Sequence, residues 1–220
     1  MHTKEQFKII SFYEFINLNE LDQLKLEILS FLKQRSIKGT ILLANEGVNG
    51  MLSCKKSDYK TLIEFIKNLV NKNISFKIND SNAHAFLRLK VKIKKEIIKL
   101  EQKNISPLLK TGEYVHPDKW DELISKKDVV IIDTRNFYES DIGTFYGSVL
   151  VNSKNFRDFS SWVRNNKEKI FKKKIAMFCT GGVRCEKASS YLISKGFKDV
   201  FQLQGGIISY FQKTKNKNKR

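Results

Sequence analysis

Cys179 opens the stretch Cys179-Thr180-Gly181-Gly182-Val183-Arg184, a thiol followed by two glycines and an arginine. Three features there favour a thiolate. The backbone N–H groups of Thr180 to Arg184 can curl into a nest, the following helix presents its positive end, and Arg184 is a permanent cation. Cys179 is therefore the candidate nucleophile at neutral pH, and the same cradle suits an oxyanion, a persulfide or an oxidised sulfur. Gly181 and Gly182 permit a backbone path that bulkier residues resist. Cys54 reads instead as a small buried hydrophobe. Cys185, six positions after Cys179, is a candidate second thiol that either resolves an oxidised Cys179 or packs beneath the loop. These three cysteines have no disulfide or zinc spacing, and His2, His84 and His116 are scattered, so reduced thiols are expected and no metal site can be assembled.

Cys179 must be held by the elements around it. From Val115 onward strands alternate with helices, which predicts a parallel sheet with crossover helices. Asp128 to Asp133 and Lys174 to Phe178 are short apolar strands, and the second ends at Cys179. A ligand in such folds sits at the carboxyl ends of the strands. The spacing predicts a helix over Glu186 to Lys195 stopped by Gly196, a strand over Val200 to Leu203 and a final helix from Ile207 to about Gln212.

The N-terminal half has another pattern. Phe7 to Tyr13 reads as a strand, and Leu21, Leu24, Ile28, Leu29 and Leu32 follow at helical spacing. Ile37 to Leu43 and a short strand ending near Cys54 flank the glycine-bearing turn at Asn45 to Gly50. A second amphipathic helix carries Leu62, Phe65, Ile66 and Leu69, and Ile74 to Ile78 is a short extended piece. In Leu87 to Lys94 apolar residues alternate with Arg88, Lys90, Lys92 and Lys94, predicting a strand with one inward face and one basic face. That face is either a phosphate-backbone platform or a solvated surface. The order strand, helix, strand, strand, helix, strand is that of a ferredoxin-like α+β sandwich.

Two domains are thus expected: 1–100, ferredoxin-like, and 115–214, α/β, joined by a linker over 101–114 and ending in a basic tail over 215–220. Lys and Arg number 41 against 23 Asp and Glu, a net charge of +18. The excess suits a polyanion such as nucleic acid. It is mostly lysine in a chain also rich in Ile and Asn, which an AT-rich genome produces unaided. No apolar run approaches a membrane span and no signal-peptide pattern opens the chain, so a cytoplasmic protein is expected.

The segment Val115 to Gly206 resembles the rhodanese family through Ile132-Asp133-Thr134-Arg135, Glu139, Ile142 to Gly147 and the cysteine loop. More narrowly, Val115 to Trp120, Ile142-Gly143-Thr144-Phe145, Cys179 to Ser189 and Gln204-Gly205-Gly206-Ile207 resemble the rhodanese-domain tRNA uridine(34) hydroxylases. Gly39 to Gly50 and Arg88 to Ile97 are similar to that family's acylphosphatase-like domain. The resemblance implies oxygen-dependent hydroxylation of the wobble uridine to 5-hydroxyuridine, with the family's essential cysteine falling on Cys179. It also implies molecular oxygen as co-substrate and a tRNA anticodon loop as partner, whose splayed bases need phosphate neutralisation and stacking. No flavin, haem or metal motif is visible. Ordinary rhodaneses carry histidine where Thr144 stands, a departure shared with the hydroxylase subgroup. Members of that subgroup commonly carry a cysteine-rich C-terminal extension, and this sequence ends at Arg220 in Lys-Asn repeats.

Two other functions fit parts of the pattern. A sulfurtransferase would carry a persulfide on Cys179 and need no tRNA, and a non-catalytic tRNA-binding protein would be indifferent to that cysteine. A tyrosine phosphatase is excluded by spacing, because Arg184 comes five positions after Cys179 where the Cys-x5-Arg loop requires six.

Overall fold

A computed structural model of the chain describes residues 6–214. Two compact units meet between Ile97 and Ile98 in sequence. The basic tail expected at 215–220 lies outside the described residues. Among the described residues no helix is long and apolar enough to cross a membrane.

The first unit runs β1 (Phe7–Phe15), α1 (Leu21–Gln34), β2 (Lys38–Ala44), β3 (Gly47–Lys55), α2 (Tyr59–Leu69), β4 (Phe76–Ser81) and β5 (Leu89–Ile93). Its sheet has the order β4-β1-β3-β2-β5. The first four are the antiparallel ferredoxin-like set, and β5 adds parallel to β2 at the far edge. The closing strand of the sandwich is therefore Phe76–Ser81, and the basic strand is an additional fifth one. Alternation along β1, β2 and β3 sends Ile10, Phe12, Ile41, Leu43, Val48 and Leu52 to one face. There they pack with Ile28 and Leu32 of α1 and Leu62 and Ile66 of α2. Cys54 is fully buried in the same core. Burial and the charge of Asp58 push its thiol up to about 11, so it is an inert core residue.

Both described helices of the unit, α1 and α2, pack on that face, and among the described residues the other face carries neither. Ser11 pairs with Lys77 and Met51, Met51 with Thr40, and Thr40 with Lys90. One step along, Leu42 pairs with Lys92. Arg88, Lys90, Lys92 and Lys94 are all exposed, as the alternation predicts, and Val91 is buried. Leu87 departs from it: it lies before β5 and is 91% exposed.

The second unit has β6 (Glu113–Val115), α3 (Pro117–Ile124), β7 (Val129–Asp133), α4 (Phe137–Ser140), β8 (Val149–Leu150), α5 (Phe159–Ile170), β9 (Lys174–Phe178), α6 (Val183–Ser194), β10 (Val200–Leu203) and α7 (Gly206–Thr214). Its sheet is parallel throughout, in the order β6-β10-β9-β7-β8. Both faces of β9 are covered, which is why it reads as an unbroken apolar run. Ile175 and Met177 join Val163 of α5 and Ala188 and Leu192 of α6, while Ala176 and Phe178 join Trp120 of α3 and Ile207 of α7. Leu100 is buried in the first of these clusters, with Ile98 and Ile105 packed against it.

The strand order fixes where a ligand can enter. β7 and β9 are neighbours, but the chain leaves β7 outward to β8 and leaves β9 in the opposite direction to β10. The two connections diverge and open a crevice at the carboxyl ends of β7 and β9, the usual ligand position in such sheets. Thr134 to Asn136 leave β7 there, and Cys179 leaves β9.

Candidate active site

Cys179 sits at the end of β9 with no exposed surface. The loop is tighter than the sequence suggests, because α6 begins at Val183 rather than Glu186. Val183, Arg184 and Cys185 therefore form the first helical turn, and only Thr180 to Gly182 remain as loop. Gly182 makes this turn possible: its φ of 111° lies in the region that side chains resist. Its N–H donates to the Cys179 sulfur at 3.1 Å.

Burial pushes the Cys179 thiol up, but three interactions outweigh it. The Cys185 thiol donates to the sulfur, the Arg184 charge lies nearby, and the N–H groups of Cys185 and Gly182 point at it. Together they hold Cys179 well below the ordinary thiol range, so it is a thiolate at neutral pH. Cys185 bears the complementary cost: its own burial and the adjacent sulfur hold it well above that range, so it stays protonated. Cys185 is fully buried, with Thr134 Oγ1 3.6 Å from its sulfur. It packs beneath the loop, and from there its proton serves the neighbouring sulfur.

Arg184 is fixed by Glu139, from a different strand connection. Its two terminal nitrogens donate to the two Glu139 oxygens, each at 2.7 Å, and Nη2 also reaches Thr180 Oγ1 at 3.0 Å. The Thr180 hydroxyl donates to Glu139 in turn. Burial opposes the Glu139 charge, but the bonds from Arg184 and Thr180 prevail and bring its carboxyl down to about 2. The stabilisation linked to this shift is complete above the ordinary carboxylate range and is lost as pH falls toward 2. Glu139 is itself placed by the short α4, whose preceding Asn136 N–H donates to Glu139 Oε2 at 3.2 Å.

A second ion pair holds the β7 end. Asp133 is fully buried and accepts from Arg135 Nε at 3.0 Å and Nη2 at 2.7 Å. Ser140 Oγ and Thr144 Oγ1 each donate to Asp133 Oδ2 at 2.9 Å. Arg135 also donates to the Gly143 carbonyl at 2.6 Å. Thr144 thus has a definite task at the position where ordinary rhodaneses carry histidine.

The N-terminus of α7 closes the loop from the other side. Ile207 N–H donates to the Cys179 carbonyl at 2.9 Å and Ile208 N–H to that of Thr180 at 3.3 Å. Gly206 allows this approach, since a Cβ there would lie 2.5 Å from the Cys179 carbonyl oxygen and 2.6 Å from that of Thr180. Its φ of +68° adds strain for any other residue. Gly206→Ala is expected to destabilise the second unit by about 2 kcal/mol or more and to displace the cysteine loop. Thermal melting and the titration of the Cys179 thiolate by its ultraviolet absorbance check both consequences.

Of the residues singled out by sequence, Cys179 to Arg184 and Cys185 come together in this cluster. Arg88, Lys90, Lys92 and Lys94 belong to the first unit. Sequence reasoning missed what Asp133, Thr134, Arg135 and Glu139 do, although all four stand in the rhodanese-like motifs and that membership is the signal that marks them. The described residues bring no three His, Cys, Asp or Glu side chains into a metal-holding group.

Comparison with known proteins follows the same division. Residues 7–97 match the UPF0176 acylphosphatase-like domain and residues 116–213 the rhodanese-like domain. A protein of Rickettsia rickettsii (strain Sheila Smith) named tRNA uridine(34) hydroxylase is 45% identical over 97% of this chain and 87% of its own length. The chain belongs to the tRNA uridine(34) hydroxylase family. A hydroxylase of the same name from Rickettsia massiliae (strain Mtu5) is 44% identical, and one from Rickettsia bellii (strain OSU 85-389) is 43% identical, each over 97% of this chain and 87% of the relative. These hydroxylases match the chain across both units.

Proposed function

We propose that this protein hydroxylates uridine at tRNA position 34 to 5-hydroxyuridine in an oxygen-dependent reaction, with Cys179 as its reactive thiolate. The observation that carries the proposal is the Cys179 cradle: a sulfur held ionised at the end of β9 in a chain of the hydroxylase family. Arg184 and the amides of Gly182 and Cys185 stabilise negative charge at one point, which suits a sulfur that attacks a pyrimidine or carries oxygen. Because Cys179 has no exposed surface, the loop must shift for a uracil ring to reach it. A tRNA substrate is in keeping with a cytoplasmic reaction.

Purified protein given tRNA with an unmodified U34 and a two-electron donor such as dithiothreitol, whose electrons reduce the second oxygen atom of O2 to water, tests the reading. Nucleoside mass spectrometry should find one added oxygen under air and none without oxygen. Sulfur in the product when thiosulfate is supplied would instead establish sulfur transfer.

The anticodon arm is proposed to dock on the helix-free face of the first unit's sheet, where Lys77, Lys90 and Lys92 lie beside Ser11, Met51, Thr40 and Leu42. The exposed Arg88 and Lys94 extend this basic surface beyond β5. Cations so arranged neutralise phosphates without reading sequence. Lys90→Glu with Lys92→Glu is expected to weaken tRNA binding and lower the slope of log affinity against log salt by about 2. Filter binding across a salt series measures that slope.

A further inference from the structure

Beside the cysteine loop the second unit contains a cavity of about 290 Å³. Ile98 and Lys99 aside, its walls come from separate connections at the carboxyl ends of the strands. Asn136 follows β7, Asn155, Phe156 and Arg157 follow β8, Arg184 lies on the first turn of α6, and Lys99 lies ahead of β6. Its size is near the lower end for small-molecule sites, roughly 300 Å³. Three cations, two amides and an aromatic ring are an unusual lining for a cavity without a polyanionic ligand.

The charges are not consumed by internal pairs to the same degree. Arg184 is committed to Glu139. Lys99 has an exposed partner in Glu101 at 2.6 Å, a type of pair that contributes little. Arg157 meets its neighbour Asp158 only at 4.0 Å, with its side chain 49% exposed, so its guanidinium remains available for a phosphate. Asn136 donates Nδ2–H to Tyr138 Oη at 2.8 Å, and its Oδ1 is turned to the start of α4 with no accessible surface, so this side chain serves the helix start. Phe156, only 6% exposed, supplies an apolar wall against which a nucleobase can lie.

We infer that this cavity seats one unstacked nucleotide of the substrate RNA, its phosphate on Arg157 and Lys99 and its base against Phe156. The inference rests on the proposed RNA substrate and adds to it a second point of contact, separate from the basic sheet of the first unit. Holding a nucleotide beside the cysteine loop orients the strand for reaction there.

The test uses the full chain, a fluorescently labelled anticodon stem-loop RNA and UMP as competitor, with melting curves to establish that each variant folds. Arg157→Ala should weaken RNA binding about tenfold, as expected for a charge-assisted hydrogen bond, and lower the salt slope by about 1. Lys99→Ala should act in the same direction, and Lys173→Ala, an exposed lysine of the same unit that does not line the cavity, should have no comparable effect. UMP should displace RNA from the wild type, inorganic phosphate at equal concentration should do so less, and UMP should lose its effect on Arg157→Ala. Wild-type protein that binds and hydroxylates RNA while both cavity variants keep its affinity and salt slope would overturn this inference alone. Competition by UMP with RNA affinity unchanged in Arg157→Ala would also overturn it, since the cavity would then hold a free nucleotide. A wild-type chain that neither binds nor hydroxylates RNA would sink the substrate reading, and this inference with it.

Discussion

Cys179→Ser is expected to lower hydroxylation by roughly 10⁴-fold, the scale seen when a reactive group is removed from a site whose other parts remain. The substitution exchanges one small side chain for another, and Gly182, Cys185 and Arg184 keep their places around it. A serine hydroxyl stays protonated in that cradle at neutral pH, so the site retains its shape and loses its anion. RNA binding should be unchanged, because no contact proposed for the RNA in the cavity or on the basic sheet involves the sulfur. The thiolate absorbance of the wild type should titrate well below the ~8.5 of a free thiol, and activity should rise with pH through that same midpoint. Linkage gives the matching sign for stability. A depressed folded-state pKa adds stability that is complete above the unfolded value and is lost as pH falls through the folded one. Serine removes that dependence, which urea unfolding at several pH values measures.

Asp133→Ala should have the largest effect on stability, about 3–5 kcal/mol, the usual cost of breaking a buried ion pair. Asp133 has no exposed surface and accepts from Arg135, Ser140 and Thr144. Its removal strands an Arg135 side chain that is only 7% exposed. It also releases the hydroxyls that tie the 140–144 turn to the end of β7. The loss should appear in the melting of the second unit, and Asp133→Asn, which keeps the shape and part of the bonding, should cost less. Equal losses for both substitutions would assign the effect to charge alone.

Much of this arrangement is legible in sequence because it is local. The apolar run Lys174 to Phe178 leads directly to Cys179, and period-two alternation places Lys90 and Lys92 on the exposed side of β5. Local patterns mislead where the context is an edge. Phe76–Ser81 is mostly polar because it pairs on one side only, with β1, so it does not look like the closing strand of a sandwich. Leu87 continues the alternation but lies outside the strand, almost fully exposed. The start of α6 is misplaced by sequence because Gly182 reads as loop, whereas its positive φ is what allows the helix to begin immediately after it. Contacts between distant segments leave no periodic trace. Glu139 and Arg184 are 45 residues apart, and the spacing of Asn136 to Glu139 hints only at a helix start. The cavity beside Arg184 draws Lys99 and Arg157 from still other segments, and nothing in their immediate neighbours marks them.

The central claim, that Cys179 supports hydroxylation of U34, is tested most directly in cells lacking the gene, complemented with wild type or with Cys179→Ser. Nucleoside mass spectrometry of their tRNA should show 5-hydroxyuridine-derived wobble nucleosides restored by the wild type only. Restoration by both would contradict the role of the cysteine, and restoration by neither would contradict the hydroxylase function itself.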